Sequence, residues 1–131
     1  MTSVLDASAV VAALLDDGPN GQWCDAQMAL DDLAAPALMP FEVANIVRRT
    51  EARGAIDAST AARAIANLRA LPVDLLPFDP LAGRVWELRP NLTVYDASYV
   101  ALAEVLGGPL VTLDRKLANA PGARCEVRVA P

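Results

Sequence analysis

Ser3-Val4-Leu5-Asp6-Ala7-Ser8-Ala9 decides how the rest of the chain is read. Two apolar residues, Val4 and Leu5, lead straight into Asp6. Small residues follow, and then the helical run Val10-Val11-Ala12-Ala13-Leu14-Leu15. This pattern predicts a buried strand ending in a carboxylate, with Ser8 at the start of a helix. In open α/β sheets the ligand crevice lies beyond the carboxyl ends of the strands, where the first βα turn sits. An Asp at that place can meet a ligand, or it can simply cap the helix. The stretch alone leaves both readings open.

The same pattern returns near the other end of the chain. Leu110-Val111-Thr112-Leu113 reads as a short, fully buried strand that ends on Asp114, and a helix follows from Arg115 to Asn119. Between these two motifs, Gln22 to Leu33 predicts a helix with Trp23, Met28 and Leu30 turned inward. Asp31-Asp32 ends it, an acidic pair read as solvated surface. Ala35 to Met39 reads as a second strand, and Pro40 opens a helix, the first helical position being one that suits proline. Glu42 lies in the first turn, facing the positive helix end. Asn45 follows three residues on, on the same face, so the pair can orient a ligand or a water. That helix stops at Gly54. Asp57 caps the next, Ala58 to Leu71, and the exposed side of this helical hairpin carries Arg53, Arg63 and Arg69, read as a solvated face.

Val73 to Phe78 has β character broken by Pro77, which fits an edge strand. Asp79-Pro80 starts the helix holding Val85, Trp86 and Leu88. Asp96 begins another, with Tyr99, Val100 and Ala103 at helical spacing, ended by Gly107-Gly108-Pro109. The alternation of Cys125 to Val129 predicts a last edge strand. Strands alternating with helices indicate a single α/β sandwich domain over 1–131 with a mainly parallel sheet of about five strands.

A chain of 131 residues suits one domain with a real core. No apolar run approaches the roughly 20 residues of a membrane span. The sequence enters its first strand without a basic stretch or a cleavable apolar segment, so the cytoplasm is the expected compartment. Sixteen acidic residues against eleven basic ones argue against wrapping nucleic acid on a broad positive surface. They leave room for a nucleic-acid enzyme whose metal ions supply the positive charge, and they favour a basic protein partner. Histidine is absent, which removes Ser-His-Asp and Cys-His catalysis and any His-ligated zinc. Cys24 and Cys125 are too few for a cysteine zinc site and read as buried, reduced thiols. Chemistry is left to carboxylates, hydroxyls and bound ions.

Four carboxylates then stand out. Asp6 and Asp114 end strands, whereas Glu42 and Asp96 begin helices. With right-handed crossovers all four open towards one end of the sheet. Two carboxylates roughly 5 Å apart repel by about 3 kcal/mol at an effective dielectric near 20, so such a cluster calls for protons or cations. Oxygen-only donors suit Mg²⁺ or Mn²⁺, and such ions suit hydrolysis of a phosphodiester. Four unrelated helix caps are the other reading, and spacing does not decide between them.

The chain also resembles the PIN-domain family, and within it the VapC-type ribonuclease toxins of bacterial toxin–antitoxin pairs. The resemblance covers the whole chain. It rests on Leu5-Asp6-Ala7-Ser8-Ala9, on Glu42-Val43-Ala44-Asn45, on the long block from Asn91 to Glu104, and on Val111-Thr112-Leu113-Asp114-Arg115-Lys116-Leu117. It implies a PIN-like, Rossmann-like α/β/α sandwich with strand order 3-2-1-4-5 and an Mg²⁺- or Mn²⁺-dependent endoribonuclease. Asp6, Glu42, Asp96 and Asp114 would be the acidic quartet, with Asp6 and Asp96 as direct ligands and Glu42 and Asp114 acting partly through water. Ser8, Asn45 and Thr112 would support ligands, water or substrate phosphate, and Arg115 would contact substrate. Where some relatives carry a further acid, this chain has Arg115, Lys116 and Asn119. The implied partners are an RNA substrate, a second copy in a homodimer, and a cognate VapB-type antitoxin in a hetero-oligomer, with no membrane.

Two rivals bear comparison. A phosphate-accepting receiver domain wants paired acids directly after its first strand and a lysine after its last; Asp6-Ala7 lacks the pair and Lys116 is offset. A catalytically silent PIN-like module, acting only by binding RNA or protein, would be marked by loss of one of the four acids, and all four are present.

Overall fold

Val4 and Leu5 are wholly buried, as the middle of a parallel sheet requires of its strands. The computed structural model describes all 131 residues. The first strand, β1 (Thr2–Leu5), leads to helices α1 (Ala7–Leu15) and α2 (Pro19–Met28), then β2 (Asp32–Pro36), α3 (Met39–Ala52), α4 (Ala58–Ala70) and β3 (Val73–Leu76). A 3-10 turn, Asp79–Leu81, precedes α5 (Ala82–Leu88) and α6 (Val94–Leu106). The chain ends in β4 (Leu110–Thr112), α7 (Arg115–Ala118) and β5 (Val127–Val129).

The five strands form one sheet in the order β3-β2-β1-β4-β5, and every neighbouring pair is parallel. The α/β/α expectation and the strand order hold, and the sheet is parallel throughout rather than mainly so. From β1 the chain steps outward through β2 to β3, then returns across the sheet to β4 and β5. Right-handed crossovers therefore put α1 to α4 on one face and α5 to α7 on the other. The direction reverses between β1 and β4, the topological switch point where open α/β sheets place their ligands. β3 and β5 are the edges, and Pro77 follows β3 immediately.

The core is rich in small side chains. Ala97, Ala101 and Ala103 of α6 are fully buried beside Val100 and Leu102, which lets that helix lie close across β1, β2 and β4. Asp57 caps α4, accepting from the Thr60 N–H at 2.7 Å. Gly54 and Gly107 follow α3 and α6 at φ +80° and +66°, the left-handed conformation that ends helices cheaply at glycine. Cys24 and Cys125 are unpaired, the first buried and the second half-buried.

Several boundaries differ from expectation: β3 stops at Leu76 instead of Phe78 and β5 begins at Val127 instead of Cys125, and the largest shifts fall in the second helix and second strand. The second helix ends at Met28 instead of Leu33, and β2 spans Asp32–Pro36 instead of Ala35–Met39. The reason is pairing: Thr2 aligns with Asp32, Ser3 with Leu33 and Val4 with Ala34, so β1 recruits residues whose own propensity is poor. Leu30 consequently faces outward, 66% exposed, and Met39 becomes the first residue of α3. Asp31 is not solvated surface either. Its carboxylate accepts from the buried Ser3 hydroxyl at 2.7 Å and lies 3.5 Å from the Arg128 guanidinium, tying β1 to β5 across the bottom of the sheet.

Candidate active site

Asp6 leaves β1 in an extended conformation (φ −82°, ψ 170°) and caps α1. Its Oδ1 accepts from the Ala9 N–H at 3.0 Å and from the Ser8 hydroxyl at 2.6 Å. Its Oδ2 accepts from the Thr112 hydroxyl at the end of β4. Both hydroxyls are themselves held by backbone donors: Ser8 Oγ accepts from the Leu113 N–H at 3.0 Å, and Thr112 Oγ1 from the Asp114 N–H at 2.9 Å. Each hydroxyl proton is thus committed to Asp6, and the switch-point strands are stitched together through one carboxylate. Asp6 is only 6% exposed. Burial pushes its carboxyl above the usual range and the Asp114 charge adds to this, while the three donors pull the other way.

Glu42 stands in the first turn of α3. Its Oε1 accepts from the hydroxyl of Tyr99, a buried α6 residue, at 2.6 Å. Burial raises the Glu42 carboxyl, the Tyr99 bond opposes the rise, and the charges of Asp96 and Asp6 reinforce it. Asp96 sits in the first turn of α6, but Thr93 is the cap, accepting from the Asp96 N–H at 3.1 Å. Its carboxyl too is raised, by burial first and then by the Asp114 charge. Asp114 caps the short α7, accepting from the Lys116 N–H at 2.9 Å. It shares with Asp96 the lining of a cavity of about 250 Å³.

The four acids therefore feel one another: Asp6 with Asp114, Glu42 with Asp96 and Asp6, Asp96 with Asp114. None has a cationic partner. The ion pairs of the chain belong to Arg84, with Glu87 and Glu104, and to Arg128, with Asp31 and Glu126. No three acidic side chains are gathered closely enough to cage an ion as they stand. The set is a loose group of mutually repelling oxygen donors, which fits a hard cation that keeps waters and takes only one or two carboxylates directly.

Not every expected residue joins this group. Ser8 and Thr112 do, as hydrogen-bond supports of Asp6. Asn45 does not: it is exposed, and its side-chain oxygen accepts from Arg48 Nε at 3.0 Å. Arg115 turns away as well, its guanidinium donating to the Ala130 carbonyl at 3.0 Å and anchoring the end of β5. Tyr99 was read only as an inward-facing residue of its helix. The sole signal for more was a phenol on an otherwise apolar face, three residues beyond Asp96, and a buried phenol needs a hydrogen-bond partner.

Residues 3–123 match the family model described as the PIN domain. The chain belongs to the PIN-domain family. Among its relatives, the VapC ribonuclease Mb0985 of Mycobacterium bovis is 43% identical over 128 residues, covering 98% of each chain. This PIN domain is therefore of the VapC type. The crystal structure of PAE2754 from Pyrobaculum aerophilum superposes with a TM-score of 0.71 at 25% identity, over 97% of this chain and 83% of that one. VapBC2 from Rickettsia felis, solved bound to a promoter DNA fragment, gives a TM-score of 0.71 at 13% identity over the full length of both chains, a likeness of fold. No helix of the chain is long and apolar enough to cross a membrane.

Proposed function

We propose that this VapC-type PIN domain is a divalent-metal-dependent endoribonuclease toxin, held inactive by a cognate VapB-type antitoxin and acting in the cytoplasm. The observation that carries the reading is the placing of Asp6, Glu42, Asp96 and Asp114 at the carboxyl end of the sheet, mutually repelling and none of them ion-paired. Proteins do not keep such a group for stability, because the raised carboxyls of Asp6, Glu42 and Asp96 make ionisation at neutral pH unfavourable to the fold.

On this reading Asp6 and Asp96 would hold Mg²⁺ or Mn²⁺ directly, and Glu42 and Asp114 would act partly through water. Such an ion, when bound, lowers the pKa of water and offsets charge on the phosphodiester. The chain's own residues then do the positioning. Ser8 and Thr112 fix both oxygens of Asp6, and Tyr99 fixes one oxygen of Glu42. With no histidine in the chain, water protonates the leaving oxygen.

The same surface supports a partner. An apolar groove of about 520 Å³ between α1 and α3, lined by Val11, Leu15, Ile46 and Leu113, runs up to Ser8. A peptide lying there could place an arginine among the acids, a charge-assisted pairing suited to this acidic chain. The Rickettsia felis neighbour, solved as VapBC2, supports such an assembly. Phe41 and Tyr95, each next in sequence to a site carboxylate, are 80% and 61% exposed, an apolar surface of the sort a second copy in a homodimer would cover.

The test is cleavage of a structured RNA pool by antitoxin-free protein in Mg²⁺, in Mn²⁺ and in EDTA. Cleavage confined to the metal arms is expected; cleavage that persists in EDTA sinks the metal-dependent reading, and none in any arm leaves a binding-only domain. Tyr99→Phe should lower the cleavage rate by roughly tenfold or more, the usual cost of removing a group that orients a metal ligand. Thermal unfolding of the same variant distinguishes that loss from misfolding.

A further inference from the structure

The cavity shared by Asp96 and Asp114 has one cation on its wall, Lys116, and two amides, Asn91 and Asn119. We propose that Lys116 binds the phosphate of the RNA nucleotide next to the cleaved bond, and that this cavity is the subsite for that nucleotide. The inference rests on the nuclease reading and goes beyond it by naming where the neighbouring nucleotide lies.

Three observations carry it. Lys116 forms no ion pair, although the chain holds more acids than bases. Its backbone is fixed against the site, since its N–H is the donor that Asp114 accepts in capping α7. Arg115, the other cation of this turn, is bound to the Ala130 carbonyl.

The amides complete the site. Asn119 donates its NH₂ to the Arg115 carbonyl at 2.9 Å, and Asn91 donates to the Pro121 carbonyl at 3.4 Å. Both side chains are thereby held, and their carbonyl oxygens are left as acceptors without a partner, suited to ribose hydroxyls or base amino groups. RNA entering an acidic site brings more than one phosphate with it. The one being cleaved would meet the ion among the carboxylates, and the next requires a cation of the protein's own. A lysine supplies that as a compact point charge.

The experiment measures initial cleavage rates in Mn²⁺ against RNA concentration and salt, for the wild-type protein, Lys116→Gln, Lys116→Arg and Arg115→Gln. Lys116→Gln should raise KM about fivefold with kcat within about twofold, and should flatten the salt dependence of log kcat/KM by about one unit of slope. Lys116→Arg should restore most of the loss, and Arg115→Gln should leave the slope unchanged. An unchanged KM and slope in Lys116→Gln, or an equal change of slope in Arg115→Gln, overturns the proposal while the nuclease reading stands. A folded wild-type protein that cleaves nothing overturns both.

Discussion

Asp96→Asn is expected to reduce RNA cleavage by at least about a hundredfold while leaving a folded protein whose Tm at pH 7.5 is no lower than that of the wild type. The substitution keeps the shape of the side chain and removes the charge. The helix start does not depend on it, because Thr93 supplies the cap. The carboxyl of Asp96 is raised by burial and by Asp114, so the folded protein binds a proton there more readily than the unfolded chain does. Stability from such a group is complete below the ordinary carboxylate range and is lost as pH rises through the folded value. At neutral pH the ionised Asp96 is a cost, opposed by about 0.3–1 kcal/mol of attraction to the helix dipole. Asparagine avoids the cost and forgoes the attraction. Mn²⁺ should raise the Tm of the wild type, since a ligand bound only to the native state stabilises it, and should raise that of the variant much less. Cleavage retained by the variant, or equal stabilisation of both proteins by Mn²⁺, would show that Asp96 is not a ligand.

Gly108→Ala should cost about 3 kcal/mol or more of stability. Gly108 is buried at the turn from α6 into β4, and a Cβ placed there would lie 1.8 Å from the Thr2 carbonyl oxygen and 3.0 Å from its carbon. Both obstacles are backbone of β1, which cannot rotate aside as a side chain can. Relief requires β4 to move away from β1, and the bonds across that seam run from the turn up to the site: Val4 N–H to Pro109 at 2.9 Å and Asp6 N–H to Val111 at 3.2 Å. Denaturant unfolding should show a lower midpoint, and residual cleavage should fall further than stability alone explains because Thr112 moves with β4. A midpoint within about 0.5 kcal/mol of the wild type would show that the seam yields easily.

The readability of this chain followed the range of the interactions involved. Asp6 and Asp114 were legible because each is preceded by an apolar strand and followed by a helix, a local pattern with a fixed geometric result. Glu42 and Asp96 were legible as first-turn acids. Asn45 was misplaced by the same local logic: three residues along a helix is the same face, but Arg48, also three residues on, competes for its side-chain oxygen. The limits of β2 were hidden because Asp31-Asp32 reads as a helix end until Thr2 and Ser3 claim the neighbouring backbone. Tyr99 and Glu42 are 57 residues apart, and no spacing rule joins them. The tie of Arg115 to the Ala130 carbonyl, just past β5, is a tertiary contact that no local pattern shows.

The hydroxyl stitch around Asp6 also dictates when, during synthesis, the acidic group can assemble. Ser8 and Thr112 are 104 residues apart in sequence, and Asp6 and Thr112 are 106 apart. Contacts of such separation close late, because the entropy of the intervening chain must be overcome before they contribute. On a ribosome, where chains fold from the N-terminus as they emerge, Asp6 waits through most of synthesis without its supporting hydroxyl from β4 or its acidic neighbour Asp114. A growing chain thus carries no assembled acidic group; on the nuclease reading proposed above, cleavage competence would arrive only as translation finishes, when a neutralising partner could meet the complete fold.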